Sequence, residues 1–151
     1  MPSSNRPGTG SMSAVSLLGG ESALHAVPRT SMDWIVIVRQ GLPAVSIDAL
    51  VRLAGIPQRA LARALGIPER TLLRRKRAGK LSPDESAKLV RFARVVERAV
   101  IVFDSADSAL NWLKAPNVSL GGVTPLSLLD TEIGGGSVLD TLGRIEQGLF
   151  V

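Results

Sequence analysis

Residues 56–77 are Ile56-Pro57-Gln58-Arg59-Ala60-Leu61-Ala62-Arg63-Ala64-Leu65-Gly66-Ile67-Pro68-Glu69-Arg70-Thr71-Leu72-Leu73-Arg74-Arg75-Lys76-Arg77, and this stretch decides the fold. It predicts two short helices, because Pro57 and Pro68 each suit a first helical position. Gly66 lies between them, where it can reverse the chain. Since the second helix is rich in cations, the pair has the form of a helix-turn-helix. In that motif the first helix supports the second, and the second enters the DNA major groove.

The cations of this unit are the candidate contacts to DNA. Arg70, Thr71 and Arg74 are the candidates for base edges, because arginine can hold guanine O6 and N7 in a fork. The candidates for phosphate contacts are Arg59, Arg63, Arg75, Lys76, Arg77 and Lys80. The leucines at positions 61, 65, 72 and 73 are interpreted as core.

Charge is unevenly distributed along the chain, which carries a formal net charge of +5. Residues 57–98 hold twelve Lys and Arg against four Asp and Glu, whereas residues 99–151 hold two against six. A charged run is most often only the solvated face of a helix. Here the charge coincides with the motif, so contact with a polyanion is favoured for the middle of the chain.

Composition predicts an all-α fold. Hydrophobic residues make up 45% of the 151 residues but aromatics only 3%, so the core must be built from Leu, Val, Ile and Ala. The absence of cysteine excludes disulfides and thiolate metal sites. No run approaches the roughly 18 apolar residues of a membrane span, and no secretory signal is visible, so we expect a cytoplasmic protein.

Four segments are predicted. Residues 1–32 are rich in Ser, Gly and Pro and are expected to be largely disordered, and residues 33–81 form the helix-turn-helix domain. Within it, residues 33–40 suit a strand or a short helix, and the helical surroundings favour the helix. Ser46 is expected to cap the next helix.

Residues 82–104 form one long helix in this interpretation, and residues 105–151 form a small helical domain. Ser82 and Glu85 have the spacing of a capping box, and the long helix would span roughly 30 Å and serve packing and dimerisation. In the last domain, residues 106–114 suit a helix, Thr124 caps a short helix that begins at Pro125, and residues 137–147 form the final helix. An apolar tail follows Gly148, and its exposure would favour capture by a partner.

Catalytic and metal-binding functions are not indicated. His25 is the only histidine and lies in the segment expected to be disordered, so a nucleophile would lack a positioned base. The carboxylates form no close pair, and Gly134-Gly135-Gly136 lacks the spacing of a dinucleotide-binding loop. We therefore expect no catalytic residues, no metal and no cofactor.

The residues also resemble a known family, the Xre/MbcA/ParS antitoxins of bacterial type II toxin–antitoxin modules. The first half of the resemblance comprises residues 65–76 and 79–86. The second half comprises Ala109-Leu110-Asn111-Trp112-Leu113, Pro116-Asn117, Leu120-Gly121-Gly122, Thr124-Pro125-Leu126, Leu129-Asp130-Thr131 and Gly143-Arg144-Ile145-Glu146. The resemblance covers residues 41–151, and its steps are specific in combination.

The resemblance implies an all-helical homodimer that binds its own operator DNA and neutralises a toxin by covering the toxin's active site. The implied toxin has a RES domain, which consumes NAD, or is a related ADP-ribosyltransferase. The implied toxin-binding residues are Trp112, Pro116, Asn117, Leu120, Gly121, Gly122, Thr124, Pro125, Leu126, Leu129, Thr131, Arg144, Gly148, Leu149, Phe150 and Val151. The triple glycine at 134–136 departs from the family pattern, so the last helix is expected to begin near Ser137.

Two alternatives remain open from the sequence. One is a stand-alone helix-turn-helix regulator whose last third dimerises or binds a ligand. The other is a nucleoid-associated protein, which would bind DNA without regard to its sequence.

Overall fold

The computed structural model describes residues 12–148. Within this range the elements are the α-helices α1 (Ala14–Leu17), α2 (Gly20–Leu24), α3 (Ser31–Gln40), α4 (Val45–Ala54), α5 (Gln58–Leu65), α6 (Glu69–Ala78), α7 (Pro83–Phe103), α8 (Ala106–Lys114) and α9 (Glu132–Glu146), and the 3₁₀ helices Val118–Leu120 and Pro125–Leu128. Extended pairing over the same range is limited to two isolated bridges, Pro43 with Lys80 and Asn117 with Val123. The all-α prediction is confirmed.

The long helix α7 forms the centre of the molecule. Its buried residues include Leu89, Phe92, Ala93 and Val96, and α1, α3, α8 and α9 all pack against it. Ser82 caps it, with the predicted capping box to Glu85 in place. Because one helix contributes to the core along most of its length, the first and last helices of the described range share a single hydrophobic interior.

The N-terminal segment is ordered where the structure describes it. Met12, Leu17 and Leu18 are buried in the common core, and the carboxylate of Glu97 accepts a hydrogen bond from the backbone N–H of Ala14 at 3.0 Å. The prediction of disorder for residues 1–32 is therefore wrong over residues 12–32, and residues 1–11 lie outside the described range. The Ser and Gly content suggested disorder, but a few apolar side chains in this segment pack against the rest of the core and hold it in place.

Ser46 has a different role from the predicted one. Ala44 is the cap residue of α4, and Ser46 lies fully buried in the first turn of that helix. Its hydroxyl donates a hydrogen bond to the carbonyl of Leu18 at 2.6 Å. A residue that looked like a local cap thus fastens the N-terminal segment to the helix-turn-helix.

Helix α3 settles the ambiguity at residues 33–40. Thr30 caps it and forms a capping box with Asp33, so the β-branched run is helical as favoured. Ile37 is its buried residue, and Trp34 and Val38 pack against the core. The helix ends at Gly41.

Helix α9 begins earlier than predicted, at Glu132 rather than near Ser137. Thr131 caps it by accepting a hydrogen bond from Gly134 N–H at 2.9 Å. A Cβ atom on Gly134 would lie 1.9 Å from the Leu128 carbonyl oxygen, and one on Gly135 would lie 3.0 Å from Arg91 Cδ. Close packing against the backbone therefore requires glycine at position 134, while a side chain at position 135 would press on the flexible Arg91 side chain, and the contact at Gly134 overrides its low helix propensity.

Candidate functional site

The outward surface of α6 carries most of the predicted base-edge candidates. Arg70 and Arg74 are exposed, as is Arg77 one turn further on, while Thr71 is half-buried. Leu72 is fully buried and anchors the helix, but Leu73, predicted to be core, is 47% exposed. Gly66 reverses the chain before α6 with a φ of +70°, in the left-handed region that favours glycine.

Two of the residues predicted to contact phosphate bind other side chains of this protein. Arg75 Nε lies 2.7 Å from Glu85 Oε1 at the start of α7. Lys76 Nζ lies 2.7 Å from Asp48 Oδ1 and donates to Gln58 Oε1 at 2.9 Å. These contacts hold α6 against three other helices, so Arg75 and Lys76 orient that helix within the chain, and their contact with phosphate stays a prediction.

The Arg75–Glu85 pair also shifts the protonation of both groups. Burial raises the pKa of the Glu85 carboxyl, but hydrogen bonds from Arg75 and Ser82 outweigh it, so the pKa lies below its ordinary value. The hydrogen bond from Arg75 to Glu85 raises the pKa of the Arg75 guanidinium. Both residues therefore remain charged at neutral pH.

The remaining cations are available to a ligand. Arg59 forms a weak contact with Glu69 at 3.9 Å, and its side chain is 80% exposed. Over residues 12–148, no carboxylate pairs with Arg63, Arg70, Arg74, Arg77 or Lys80. All five are exposed, so the α5–α6 unit presents a cluster of unpaired positive charge.

The loop after α8 forms a compact turn in the last third of the chain. Asn117 N–H donates to the Val123 carbonyl at 2.9 Å, and Gly122 N–H donates to the Asn117 carbonyl at 2.8 Å. Gly121 and Gly122 have φ values of +80° and +83°, so glycine suits both positions. The turn leaves Val118 93% exposed.

The predicted toxin-binding residues divide into three groups. Leu129 and Pro125 are buried in this chain and support the loop from within, so their direct contact with a partner stays a prediction. The half-buried residues are Trp112, Asn117, Leu120, Thr124 and Leu126. The exposed residues are Pro116, Gly121, Gly122, Thr131, Arg144 and Gly148, whereas Leu149, Phe150 and Val151 lie outside the described residues.

Several of the half-buried or polar residues have a structural role in the last domain. The Trp112 ring lies 5.7 Å from the Phe103 ring, centre to centre, and secures α8 to the end of α7. Thr124 and Thr131 cap the second 3₁₀ helix and α9. The side-chain oxygen of Asn117 is buried and has no hydrogen-bond partner within residues 12–148.

Exposed apolar residues were missed by the sequence reasoning. Val118 is 93% exposed, Ile133 is 85% exposed and Val123 is 42% exposed, all in the last third of the chain. The sequence did carry a sign of their exposure. Val118 and Val123 lie in a glycine-rich loop and Ile133 lies in the first turn of a helix, and side chains at such positions are seldom buried. Such side chains can contribute to an interface by losing contact with water.

The two halves of the molecule are joined by polar contacts as well as by the core. Lys114 Nζ, at the end of α8, donates to the carbonyls of Ala54 at 3.2 Å and Gly55 at 3.1 Å, where α4 ends. A cation there satisfies terminal carbonyls and complements the helix dipole. Arg91 of α7 donates to the Leu129 carbonyl at 3.3 Å.

Groups suited to metal binding or transmembrane insertion are absent from the part of the chain that the structure describes. Residues 12–148 contain no cluster of three His, Cys, Asp or Glu side chains placed to hold a metal ion. Over the same residues, no helix combines the length and apolar character needed to cross a membrane.

Comparison with protein families matches both halves. Residues 33–94 match the antitoxin Xre-like helix-turn-helix domain, and residues 98–148 match the antitoxin Xre/MbcA/ParS C-terminal toxin-binding domain. The chain belongs to the Xre/MbcA/ParS family of antitoxins. It is therefore an antitoxin of type II rather than an enzyme, and its C-terminal domain implies a cognate toxin as partner.

Individual relatives agree with the family. The chain is 39% identical to Antitoxin Xre of Photorhabdus laumondii over 75% of this chain and 78% of that protein. It is 39% identical to Antitoxin Xre of Yersinia enterocolitica over 67% of this chain and 62% of the relative. It is also 27% identical to a Sphingobium protein named Prs ADP-ribosylating antitoxin, over 85% of this chain and 87% of the relative.

Proposed function

We propose that this antitoxin neutralises a RES-type, NAD-consuming toxin by covering its active site, and that it represses its own operon by binding operator DNA. The observation that carries the first part is the exposure of Val118 and Ile133 within the matched toxin-binding domain. The Sphingobium relative's name associates that protein with ADP-ribosylation, a reaction that also consumes NAD, and this supports the choice of toxin chemistry.

The proposed toxin surface combines apolar side chains with a loop of little charge. Full burial of an aliphatic side chain contributes about 1.5–3 kcal/mol, so Val118 and Ile133 together can supply a large share of a specific interface. The exposed Gly121 and Gly122 place backbone groups beside them, free of side chains. These backbone groups can approach a concave surface closely.

The toxin surface can be tested with Val118→Ser combined with Ile133→Ser. We expect the double variant to bind the purified toxin from the adjacent reading frame at least about tenfold more weakly and to lose cell rescue. Val45→Ser is the matched control, because Val45 is 58% exposed in α4, away from the matched C-terminal domain. Full rescue and unchanged affinity in the double variant would refute the proposed surface.

Operator binding is proposed from the unpaired cations of α5 and α6. Arg70 and Arg74 would contact base edges, and Arg63, Arg77 and Lys80 would contact phosphates. Recognition by a helix-turn-helix usually requires two copies on two half-sites, so we propose a homodimer. Met32 and Val36 on α3, which are 64% and 49% exposed, support a contact there between copies.

A further inference from the structure

An open groove of about 930 Å³ lies between α3, α7 and α9. Val90 and Val95 of α7 line it and are almost fully buried, while Ile35, Ile101 and Leu139 on its walls are 38%, 51% and 40% exposed. All three of its walls are helical, so the groove offers no sheet edge to which a strand could add. An apolar groove between helices suits the apolar face of another helix.

Four arginines and two glutamates, Glu97 and Glu132, line the groove, so positive charge is in excess there. Of the arginines that line it, Arg98 pairs with Glu146 and Arg91 donates to the Leu129 carbonyl. Arg39 and Arg94 are exposed and have no carboxylate partner within residues 12–148. The groove therefore combines an apolar floor with an excess of positive charge over its two glutamates, which complements a partner that is apolar and acidic.

A second copy of the chain is a poor occupant of this groove. If two α7 helices packed antiparallel across it and crossed near Arg94, the arginines at 91, 94 and 98 of both copies would lie close together. Like charges brought together in a partly dehydrated contact are strongly unfavourable. The long helix is accordingly less suited to dimerisation through this face than its apolar residues alone would indicate.

Gly136 supplies a separate observation. It is exposed in the interior of α9, lines the groove, and a Cβ atom added to it would lie in open space. Within residues 12–148 it lacks the backbone contact that requires glycine at position 134, although glycine costs a helix about 1 kcal/mol relative to alanine. A partner that approaches the α9 backbone closely would supply a reason for glycine there.

We propose that the groove receives an amphipathic helix of the toxin, with an apolar stripe and an acidic edge. This inference rests on the proposed function, because the toxin is the partner that it names. The wall residues Gly136 and Leu139 lie on α9, the helix that also carries Ile133 of the proposed toxin surface. The groove thus extends that surface around α9 toward α3.

The test uses two substitutions in the full chain, each with a matched control. Gly136→Gln fills the groove, and Gly143→Gln adds the same side chain to the same helix at a site that does not line the groove. Arg94→Glu reverses a groove charge, and Arg52→Glu reverses an exposed charge on α4. Glutamine favours a helix more than glycine does, so neither glutamine variant should lose its fold.

Affinity is measured against the purified toxin from the adjacent reading frame, at low and high salt. We expect each groove variant to weaken binding about tenfold and each control to stay within about twofold. The effect of Arg94→Glu should shrink at high salt, while that of Gly136→Gln should persist.

Equal binding by all four variants and the wild type would overturn the groove proposal while leaving the proposed function intact. A wild-type chain that does not bind the toxin would instead overturn the proposed function. Light scattering tests whether the groove binds a second copy instead. If the mass of the free protein is halved in a groove variant, the groove holds another copy of the chain and the proposal is overturned.

Discussion

Helix α6 of the helix-turn-helix and the loop with the start of α9 in the C-terminal half expose opposite kinds of surface. Helix α6 keeps Leu72 inside and turns Arg70 and Arg74 to solvent, whereas the last third turns Val118 and Ile133 to solvent. Charge acts over distances of about 10 Å and weakens with salt, while apolar contact acts only on touching surfaces. One molecule thus presents two surfaces whose proposed contacts would respond differently to salt.

The largest expected effect concerns the stability of the C-terminal half. Gly134→Ala places a Cβ atom 1.9 Å from the Leu128 carbonyl oxygen, and we expect it to destabilise the fold by about 3 kcal/mol or more. Gly143→Ala, in the same helix with open space around it, should stabilise slightly. Urea denaturation of both variants measures the difference, and equal stabilities would show that the close packing at Gly134 has been misjudged.

The second prediction concerns the charged surface alone. Arg70→Ala and Arg74→Ala should each weaken operator binding by about 1–3 kcal/mol, since each removes a proposed base contact. The control is Arg52→Ala, which removes an exposed arginine of α4 outside the proposed contact set. Titration of operator and unrelated DNA over a range of salt measures the effect. If both arginine variants prefer operator over unrelated DNA as strongly as the wild type does, the assignment of these residues to base edges is wrong.

The third prediction concerns the contact between the halves. Lys114→Met removes two hydrogen bonds to the end of α4 and should cost about 1 kcal/mol of unfolding free energy. Hydrogen exchange should accelerate in the last turn of α4, since its carbonyls lose their donor. Lys88→Met is the comparison variant, because Lys88 on α7 makes no hydrogen bond to that turn, whereas Lys114 makes two. If hydrogen exchange in that turn is unchanged in Lys114→Met, water bonds the carbonyls as well as the ammonium group does, and the prediction is wrong.

The smallest expected effect is a pH dependence. The pKa of Glu85 is lower in the folded chain than its ordinary value near 4.5, so its ionised form stabilises the fold above that pH. This contribution disappears as the pH falls through the folded pKa, because the unfolded chain binds the proton more tightly. Glu85→Gln should therefore show a slightly shallower loss of stability below about pH 4.5, by about 1 kcal/mol or less. Thermal unfolding across pH 3–7 measures it, and an unaltered slope would contradict the pair's contribution.

Much of the helical framework could be predicted because its determinants lie close together in the chain. Ser82 with Glu85 and Thr124 before Pro125 act over three or four residues, and Gly66 acts through its own backbone. The predicted bounds of α8 match the structure, and α5 and α6 begin within a residue or two of their prolines. The candidate site was predicted less completely, because residue type does not reveal exposure.

Residues of the same type differ in burial and in bonding partners, and the neighbouring sequence does not explain the difference. Within residues 12–148 Arg74 has no carboxylate partner, whereas Arg75 pairs with Glu85, although the two arginines are neighbours in the chain. Leu129 is buried and Ile133 is exposed, although both are aliphatic residues of the last domain. Only the packing of α6 on α7 and of α9 on the loop before it separates these cases.

The sequence by itself determined the helical class, the helix-turn-helix, the long central helix and the family, because caps, turn glycines and charge patterns are local properties. The tertiary structure alone decided the order of residues 12–32, the start of α9 at Glu132, and which cations and aliphatic side chains face solvent. The physical reason is distance along the chain. Ser46 meets Leu18, Gly134 meets Leu128 and Lys114 meets Gly55, and of these only the Gly134 contact joins residues less than two helical turns apart.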